Sequence, residues 1–152
     1  MKADKRKSFI KAISGIYRHS QTYLGRRIKK YNIGQGQWAF LTQLLFNYDG
    51  ITQEELSSIL SIDKANTSRA LKKLEEQEYI YRKEDSSDTR KKLVYVTDKS
   101  RAFEEEFHDI FKDLNRTLSK DFTDEERYMV RRLLYKMFDN IIDYGKEENK
   151  DS

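Results

Sequence analysis

The chain has 152 residues, of which 37% are hydrophobic and 37% are charged, and its formal net charge is +4. A chain of this length is expected to form one domain. Its hydrophobic content is low for a compact domain, which predicts extended helices or a partner subunit that helps to bury a core. It contains no cysteine, which excludes disulfides and thiol redox sensing. It has neither an apolar run of membrane-spanning length nor a signal-peptide pattern, so the protein is expected in the cytoplasm.

The first helix is predicted over about residues 7–31. Apolar residues recur along it at three-, four- and seven-residue steps, which places them on one face. These residues are Ile10, Ile13, Tyr17, Leu24, Ile28 and Tyr31. Basic residues are also crowded from Met1 to Tyr31, where Asp4 is the single acid. This end of the chain therefore attracts a polyanion, unless it is simply a solvated basic helix.

A loop is predicted at residues 32–36, followed by a second helix over about 36–48. Gly34 and Gly36 resemble a phosphate-binding loop only superficially, because no strand precedes them and no Lys-Ser/Thr pair follows. We therefore interpret this segment as an ordinary loop. The residues of the second helix that are predicted to face inward are Trp38, Leu41, Leu44, Leu45 and Tyr48.

A helix-turn-helix is predicted next. Thr52 and Glu55 have the spacing of a capping box, in which the threonine hydroxyl accepts from the glutamate amide and the carboxylate reaches back. The turn at residues 61–63 ends with Asp63, a favoured N-cap. A fourth helix over about 64–77 is then predicted, and the residues that it turns inward are Thr67, Leu71 and Leu74.

The outer face of this fourth helix is a candidate surface for reading DNA. It consists of Lys64, Ala65, Asn66, Ser68, Arg69, Lys72 and Lys73. Asparagine can bond adenine, arginine or lysine can bond guanine, and the later cations can meet phosphates. Thr52 and Gln53, where the third helix begins, are included in the predicted interface. The alternative is an ordinary solvated face, which charged helix faces usually are.

A hairpin with a charged tip is predicted from two strands at residues 79–84 and 92–97, which are rich in β-branched and aromatic residues. Packed against a helix-turn-helix, such a hairpin becomes a wing. Arg90 is placed to enter a narrow minor groove, where the negative potential is strongest. Asp88 is placed to hold that guanidinium through paired hydrogen bonds, and Lys91 completes the predicted DNA contacts. The alternative is a solvated turn.

Two further helices are predicted after the wing. Thr97 is expected to cap a long helix over about 98–118. A break at residues 120–122 and a second capping box, Thr123 with Glu126, then begin a last helix that runs to about Tyr144. The predicted fold class is thus mainly α with a small β-hairpin wing, a winged helix-turn-helix with further helices at both ends.

The sequence resembles the MarR family of bacterial transcriptional regulators over about residues 7–145. The resemblance rests on the helix-turn-helix, on the wing and on a short triplet before the second helix. The matching residues are Asp63, Lys64 and Arg69, the wing pattern Asp85-x-x-Asp88-x-Arg90-x-x-Leu93-Val94-x-x-Thr97, and the triplet Gly36-Gln37-Trp38.

The resemblance implies one domain over residues 1–152, with a DNA-binding lobe at about 50–98 and dimerisation helices at about 7–31 and 99–145. It also implies a homodimer that represses nearby genes and releases DNA when a small, often phenolic or anionic, molecule binds. By position, that molecule would contact Tyr17, His19, Arg26, Trp38 and Phe46. The alternative is that these aromatic residues belong to the core. No cofactor and no metal are expected.

Four residues depart from the family pattern. Ser61 and Glu78 stand where glycine is frequent, Thr67 where an apolar residue is usual, and Thr89 where arginine is frequent. A non-glycine residue held at positive φ costs on the order of 1 kcal/mol. The fourth helix is therefore expected to end differently at Glu78, and Thr89 removes one cation from the wing.

The predicted function is sequence-specific DNA binding by a homodimer, on a pseudo-palindrome with half-sites about one helical turn apart. A transcriptional activator and a winged-helix module that binds protein are the alternatives, because a fold does not decide function. Salt dependence separates the two kinds of partner, since phosphate contacts weaken steeply as salt rises. An enzyme is not expected, because no nucleophile motif or metal-ligand spacing is present.

Overall fold

The computed structural model describes residues 8–148, and the predicted basic residues before Ser8 lie outside this range. The helices are α1 (Phe9–Ile28), α2 (Trp38–Phe46), α3 (Gln53–Leu60), α4 (Lys64–Glu76), α5 (Asp98–Arg101), α6 (Glu104–Leu118) and α7 (Asp124–Glu148). The strands are β1 (Ile51–Thr52), β2 (Ile80–Glu84) and β3 (Lys92–Val96). The predicted fold class, mainly α with a small β-hairpin wing, is confirmed.

The chain divides into two compact units, one up to Leu114 and one from Asn115 onward. The first unit contains the helix-turn-helix and the sheet. Every buried hydrophobic residue of the described range, from Leu24 to Ile110, also lies in this unit. The second unit contains the end of α6 and the whole of α7.

α1 contributes only its C-terminal half to the core. The helix begins at Ser8, whose hydroxyl accepts from the amide of Lys11 at 3.2 Å. Leu24 and Ile28 are buried. The first three residues of the predicted apolar stripe are exposed: Ile10, Ile13 and Tyr17. That half of the stripe therefore faces outward from this chain.

α2 lies at the centre of the core. The core residues of α2, α3 and α4 that are at most 1% exposed are Phe40, Leu41, Leu44, Leu56, Leu71 and Leu74. The prediction that Tyr48 faces inward is wrong, since this residue is 44% exposed. α2 ends at Phe46, and the amides of Asn47 and Tyr48 both donate to the carbonyl of Gln43, which closes the helix before Tyr48.

The wing is part of an antiparallel sheet with the strand order β1-β3-β2. Tyr81 lies opposite Tyr95 in the hairpin, and Ile51 of β1 lies opposite Val94. The prediction omitted β1 because this strand has two residues and exists only through its pairing with β3. Gly50 precedes it at a φ of +90°, where an added Cβ would lie 2.6 Å from a ring carbon of Tyr95.

Both helices of the helix-turn-helix end with a non-glycine residue in the left-handed conformation. The φ angles are 53° at Ser61 and 61° at Glu78. After α4, the amide of Tyr79 donates to the carbonyl of Leu74 at 2.9 Å and the amide of Glu78 to that of Glu75 at 3.0 Å, the Schellman arrangement. The expectation that Glu78 changes how α4 ends is therefore wrong, because the backbone keeps the positive φ.

The single long helix predicted after the wing is also wrong, because the chain forms α5 and α6 instead. Thr97 caps α5 as predicted, and its hydroxyl accepts from the amide of Ser100 at 3.3 Å. The amide of Phe103 donates to the carbonyl of Ser100 at 3.1 Å, which tightens the turn. The Phe103 ring then lies 4.7 Å from the ring of Tyr31 and 6.0 Å from that of Tyr79. The chain thus leaves the helix at the point where the Phe103 ring packs against Tyr31 and Tyr79.

In the second unit, α7 begins with the predicted capping box. The amide of Thr123 donates to the Glu126 carboxylate at 2.9 Å, and the amide of Glu126 donates to the Thr123 hydroxyl at 3.1 Å. α7 continues to Glu148, beyond the predicted end near Tyr144. None of its residues is buried. Its exposed apolar residues include Leu133, Leu134, Phe138 and Ile141.

We expect Gly50→Ala to lower the free energy of unfolding by at least about 1 kcal/mol, because alanine is incompatible with this positive φ and its Cβ would clash with Tyr95. Denaturant titration followed by circular dichroism measures the change. Gly36→Ala is the matched control, since an added Cβ there meets no atom within 4 Å. If the two variants are equally stable, a side chain at position 50 does not strain this turn.

Candidate nucleic-acid interface

The start of α3 is fixed by the predicted capping box, which is confirmed. The amide of Thr52 donates to the Glu55 carboxylate at 2.7 Å, and the amide of Glu55 donates to the Thr52 hydroxyl at 3.2 Å. The hydrogen bond from the Thr52 amide holds the pKa of Glu55 below its ordinary value. In the following turn, the Ser57 hydroxyl donates to the carbonyl of Ile62 at 2.5 Å. Local hydrogen bonds therefore fix where α3 begins and close the turn that follows it.

The inner face of α4 is buried as predicted. Leu71 and Leu74 have no exposed surface. Thr67, which stands where an apolar residue was expected, is also fully buried. Its hydroxyl donates to the carbonyl of Asp63 at 2.9 Å. A buried hydroxyl that forms a hydrogen bond carries no unmet desolvation cost, so threonine fits this position.

The outer face of α4 is open to solvent along its whole length. Its exposed residues include all of the predicted ones: Lys64, Ala65, Asn66, Ser68, Arg69, Lys72 and Lys73. The ammonium of Lys64 donates to the Glu54 carboxylate of α3 at 3.0 Å, and both side chains remain well exposed. One face of the helix thus presents hydrogen-bonding groups at its first turn and cations behind them.

Three side chains at the first turn of α4 bond to one another. Asp63 caps the helix, and one of its carboxylate oxygens accepts from the amide of Asn66 at 2.8 Å. Its other oxygen accepts from the side-chain amide of Asn66 at 2.5 Å. The carbonyl oxygen of that side chain accepts from Arg69 Nη2 at 2.7 Å. The hydrogen bond from the Asn66 backbone holds the pKa of Asp63 below its ordinary value.

The wing tip is a closed turn. The amide of Asp85 donates to the carbonyl of Lys91 at 2.9 Å, and the amide of Lys91 donates to the carbonyl of Asp88 at 2.9 Å. The Asp85 carboxylate accepts from the amide of Ser87 at 2.9 Å. These bonds hold the ends of the tip together, so residues between them have a defined orientation.

Arg90 projects from this tip and is held by Asp88, as predicted. Arg90 Nε donates to Asp88 Oδ1 at 3.1 Å, and Nη2 donates to Oδ2 at 3.3 Å. The arginine side chain is 89% exposed, whereas that of Asp88 is 27% exposed. The guanidinium hydrogen bond lowers the pKa of the Asp88 carboxyl. A partly sheltered carboxylate thus orients a cation that faces solvent.

Thr52 and Gln53 lie where β1 meets α3, and both are half-buried. Thr52 lies opposite Leu93 in the sheet. Its amide and its hydroxyl both donate to the Glu55 carboxylate. The donors of Thr52 are therefore used inside the protein in this structure, which leaves Gln53 as the more available of the two.

Two of the five predicted ligand-contacting residues are brought together. The Trp38 ring lies 5.5 Å from the ring of Phe111, and its Nε1 donates to the side chain of Gln21 at 3.2 Å. The Phe46 ring stacks on His108 at 4.0 Å and lies 5.9 Å from Phe111. The prediction did not include Gln21, His108 or Phe111. No local signal in the sequence paired Phe111 with α2.

The other three predicted ligand residues lie on α1. Tyr17 is 62% exposed, and His19 and Arg26 are also exposed. Arg26 lines an open pocket of about 430 Å³ together with Lys29 and the loop after α1. The remaining lining residues are Thr22, Gly25, Asn32, Ile33, Gly34 and Gln35. Trp38 and Phe46 do not line this pocket.

Two further features of the described residues bear on function. Within residues 8–148, no helix is both long enough and apolar enough to cross a membrane. In the same range, no three histidine, aspartate or glutamate side chains are grouped closely enough to hold a metal ion.

Comparison with known proteins gives consistent matches. The MarR family model matches residues 34–92, which include the helix-turn-helix and most of the wing. The chain is 26% identical over 144 residues to the uncharacterised HTH-type transcriptional regulator YybA of Bacillus subtilis. That alignment covers 93% of this chain and 95% of the relative.

Solved structures match over nearly the same length. A MarR transcriptional regulator from Methanosarcina mazei is 39% identical with a TM-score of 0.81, and the match covers 88% of this chain and 96% of that one. A MarR family regulator from Listeria monocytogenes, in complex with 26mer DNA, is 31% identical with a TM-score of 0.85. This second match covers 90% of this chain and 91% of the other.

We expect Asp63→Ala to lower the melting temperature by a few degrees and Asp63→Ser to leave it nearly unchanged, because serine also caps a helix.

The sign of the pH dependence of stability follows from the lowered pKa of Asp63. Stability that depends on its ionised form is present above the ordinary value of 3.8 and is lost as the pH falls through the lower folded value. Thermal melts at several pH values measure both effects; a serine variant as unstable as the alanine variant would contradict the capping role.

Proposed function

Because this chain belongs to the MarR family and is a DNA-binding regulator of transcription, we propose that it represses genes as a homodimer on a pseudo-palindromic operator. The observation that carries the proposal is the presence of two exposed elements in one compact unit. α4 presents an open face of hydrogen-bonding and cationic side chains, and the wing presents Arg90. The Listeria monocytogenes neighbour in complex with 26mer DNA supports the same mode of binding for this chain.

In the proposed complex, α4 enters the major groove and its first turn reads base edges. Lys64, Ala65, Asn66, Ser68 and Arg69 occupy that turn and the next, where an inserted helix approaches the bases. Lys72 and Lys73 follow and meet phosphates, which position the helix without reading sequence. Gln53 lies at the N-terminus of α3, where a helix favours a phosphate, whereas the donors of Thr52 are bound to Glu55.

The wing supplies the second contact of each half-site. Arg90 enters the minor groove beside the major-groove site, where a narrow groove concentrates negative potential. Asp88 already orients the guanidinium, so less side-chain freedom is lost on binding. Lys91 follows Arg90 and contacts the adjacent phosphates.

A second copy of the chain accounts for the exposed apolar residues. Ile10 and Ile13 of α1 are exposed, and so are Leu134 and Phe138 of α7. Large apolar side chains exposed along a helix in this way mark an interaction site. A two-fold dimer through these helices would present two copies of α4 to one duplex, which matches the symmetry of a pseudo-palindrome.

We also propose that a small aromatic or anionic molecule, binding in the cytoplasm, releases the protein from DNA. Trp38 and Phe46 offer apolar rings against Phe111. Arg26, with Tyr17 and His19, offers cationic and hydrogen-bonding groups on α1. Such a molecule would act by favouring a spacing of the two α4 helices that does not fit the operator.

We expect wild-type protein to protect an inverted repeat in DNase footprinting of fragments selected from the source genome. Its affinity is expected to fall by roughly 10³-fold between about 50 and about 200 mM salt, because several phosphates are neutralised by each dimer. A weak salt dependence would instead indicate an apolar protein partner. Absence of a protected inverted repeat would overturn the proposed operator.

We expect Arg90→Ala to weaken operator binding by roughly tenfold or more without changing the melting temperature, because the side chain is 89% exposed. Lys112→Ala is the charge-matched control, since Lys112 is an exposed residue of α6 outside the proposed interface. Electrophoretic mobility shift with a footprinted operator measures the affinity. If Lys112→Ala loses as much affinity as Arg90→Ala, the loss reflects net charge alone and the proposed wing contact is wrong.

A further inference from the structure

Asn66 is exposed on the proposed reading face, and each end of its side-chain amide already has one partner. The nitrogen donates to Asp63 at 2.5 Å, and the oxygen accepts from Arg69 at 2.7 Å. An asparagine reads adenine by donating and accepting with these same two groups. Each end keeps one further position, a second N–H and a second lone pair, so while these two bonds hold, Asp63 and Arg69 determine the orientation of the amide.

Arg69 keeps more free donors, because its bond to Asn66 uses one of the five N–H donors that a guanidinium carries. An arginine recognises guanine by donating two hydrogen bonds to the O6 and N7 atoms. The donors that do not face Asn66 are sufficient for that pair. Arg69 can thus read a guanine while its contact to Asn66 stays in place.

Asp63 gives this arrangement a fixed base. Its carboxylate accepts from the backbone amide of Asn66 at 2.8 Å, so it is bound to the first turn of α4 itself. The three residues follow one another at three-residue steps, which places them on one side of the helix. A rotamer that is held before binding loses less freedom when the base is contacted.

We propose that Arg69 reads a guanine in each half-site and that Asn66 is a positioning residue, held by Asp63, which orients the Arg69 guanidinium instead of reading a base. This inference rests on the proposed operator binding. It replaces the expectation that Asn66 bonds adenine, and it assigns to Asp63 a part in specificity in addition to its capping of α4.

The test is selection of binding sequences from a random DNA pool, with wild type and the variants Arg69→Ala, Asn66→Ala and Asp63→Ser. Serine keeps the helix cap but has no second oxygen for the Asn66 amide. Lys72→Ala is the control for a residue that contacts phosphate alone. Circular dichroism melts identify any variant that does not fold, and Asp63→Ser and Asn66→Ala perturb the same contact independently.

We expect wild type to prefer guanine by roughly tenfold or more at one base pair of each half-site. Arg69→Ala abolishes this preference, and Asn66→Ala and Asp63→Ser both reduce it at that same base pair. Lys72→Ala weakens binding to all sequences and leaves the preference unchanged.

The positioning role is overturned if Asn66→Ala retains the guanine preference and loses an adenine preference at a different base pair, because Asn66 then reads a base directly. It is also overturned if Asp63→Ser retains the full guanine preference. A wild type that selects no common sequence overturns the proposed operator function itself, and is distinguished from these outcomes because no variant is needed to observe it.

Discussion

The placement of α4 depends on hydrogen bonds at its C-terminal end. The Tyr79 hydroxyl donates to the carbonyl of Tyr31 at 2.5 Å, and the side-chain amide of Gln77 donates to the carbonyl of Asn32 at 2.8 Å. Both acceptors lie immediately after α1. Lys99 donates to the Gln77 carbonyl at 2.8 Å and lies 4.3 Å over the Tyr79 ring. Burial raises the pKa of Tyr79, which favours the protonated hydroxyl that donates to the Tyr31 carbonyl.

The positive φ at Glu78 makes these bonds possible. It turns the chain so that Tyr79, the next residue, is 4% exposed. The carbonyl of Tyr79 then accepts from the hydroxyl of Ser100 at 2.5 Å and from the amide of Thr97 at 3.1 Å. The burial of a tyrosine and these hydrogen bonds outweigh backbone strain on the order of 1 kcal/mol. Since β2 begins one residue later, the same turn fixes where α4 ends and where the wing begins.

Local signals were sufficient to predict the helix-turn-helix, the wing and the exposed face of α4. Capping at Thr52 and Asp63, helical spacing and strand composition all act within a few residues. The failures at β1 and α5 lie where distant segments meet: β1 exists only by pairing with β3, and α5 and α6 separate where Phe103 packs against Tyr31. The contact of Asn66 with Arg69 was also beyond prediction, because it depends on side-chain rotamers that spacing does not determine.

Carboxylates recur beside the cations of the proposed DNA surface. Asp88 binds Arg90 directly, and Asp63 holds Arg69 through Asn66. Each carboxylate repels the phosphate backbone. It therefore weakens sequence-independent binding, which depends chiefly on net positive charge. Each also restricts the orientation of an arginine, and this favours DNA whose groove or base edge fits that orientation. The surface therefore gives up sequence-independent affinity at the two places where an arginine must be held in position.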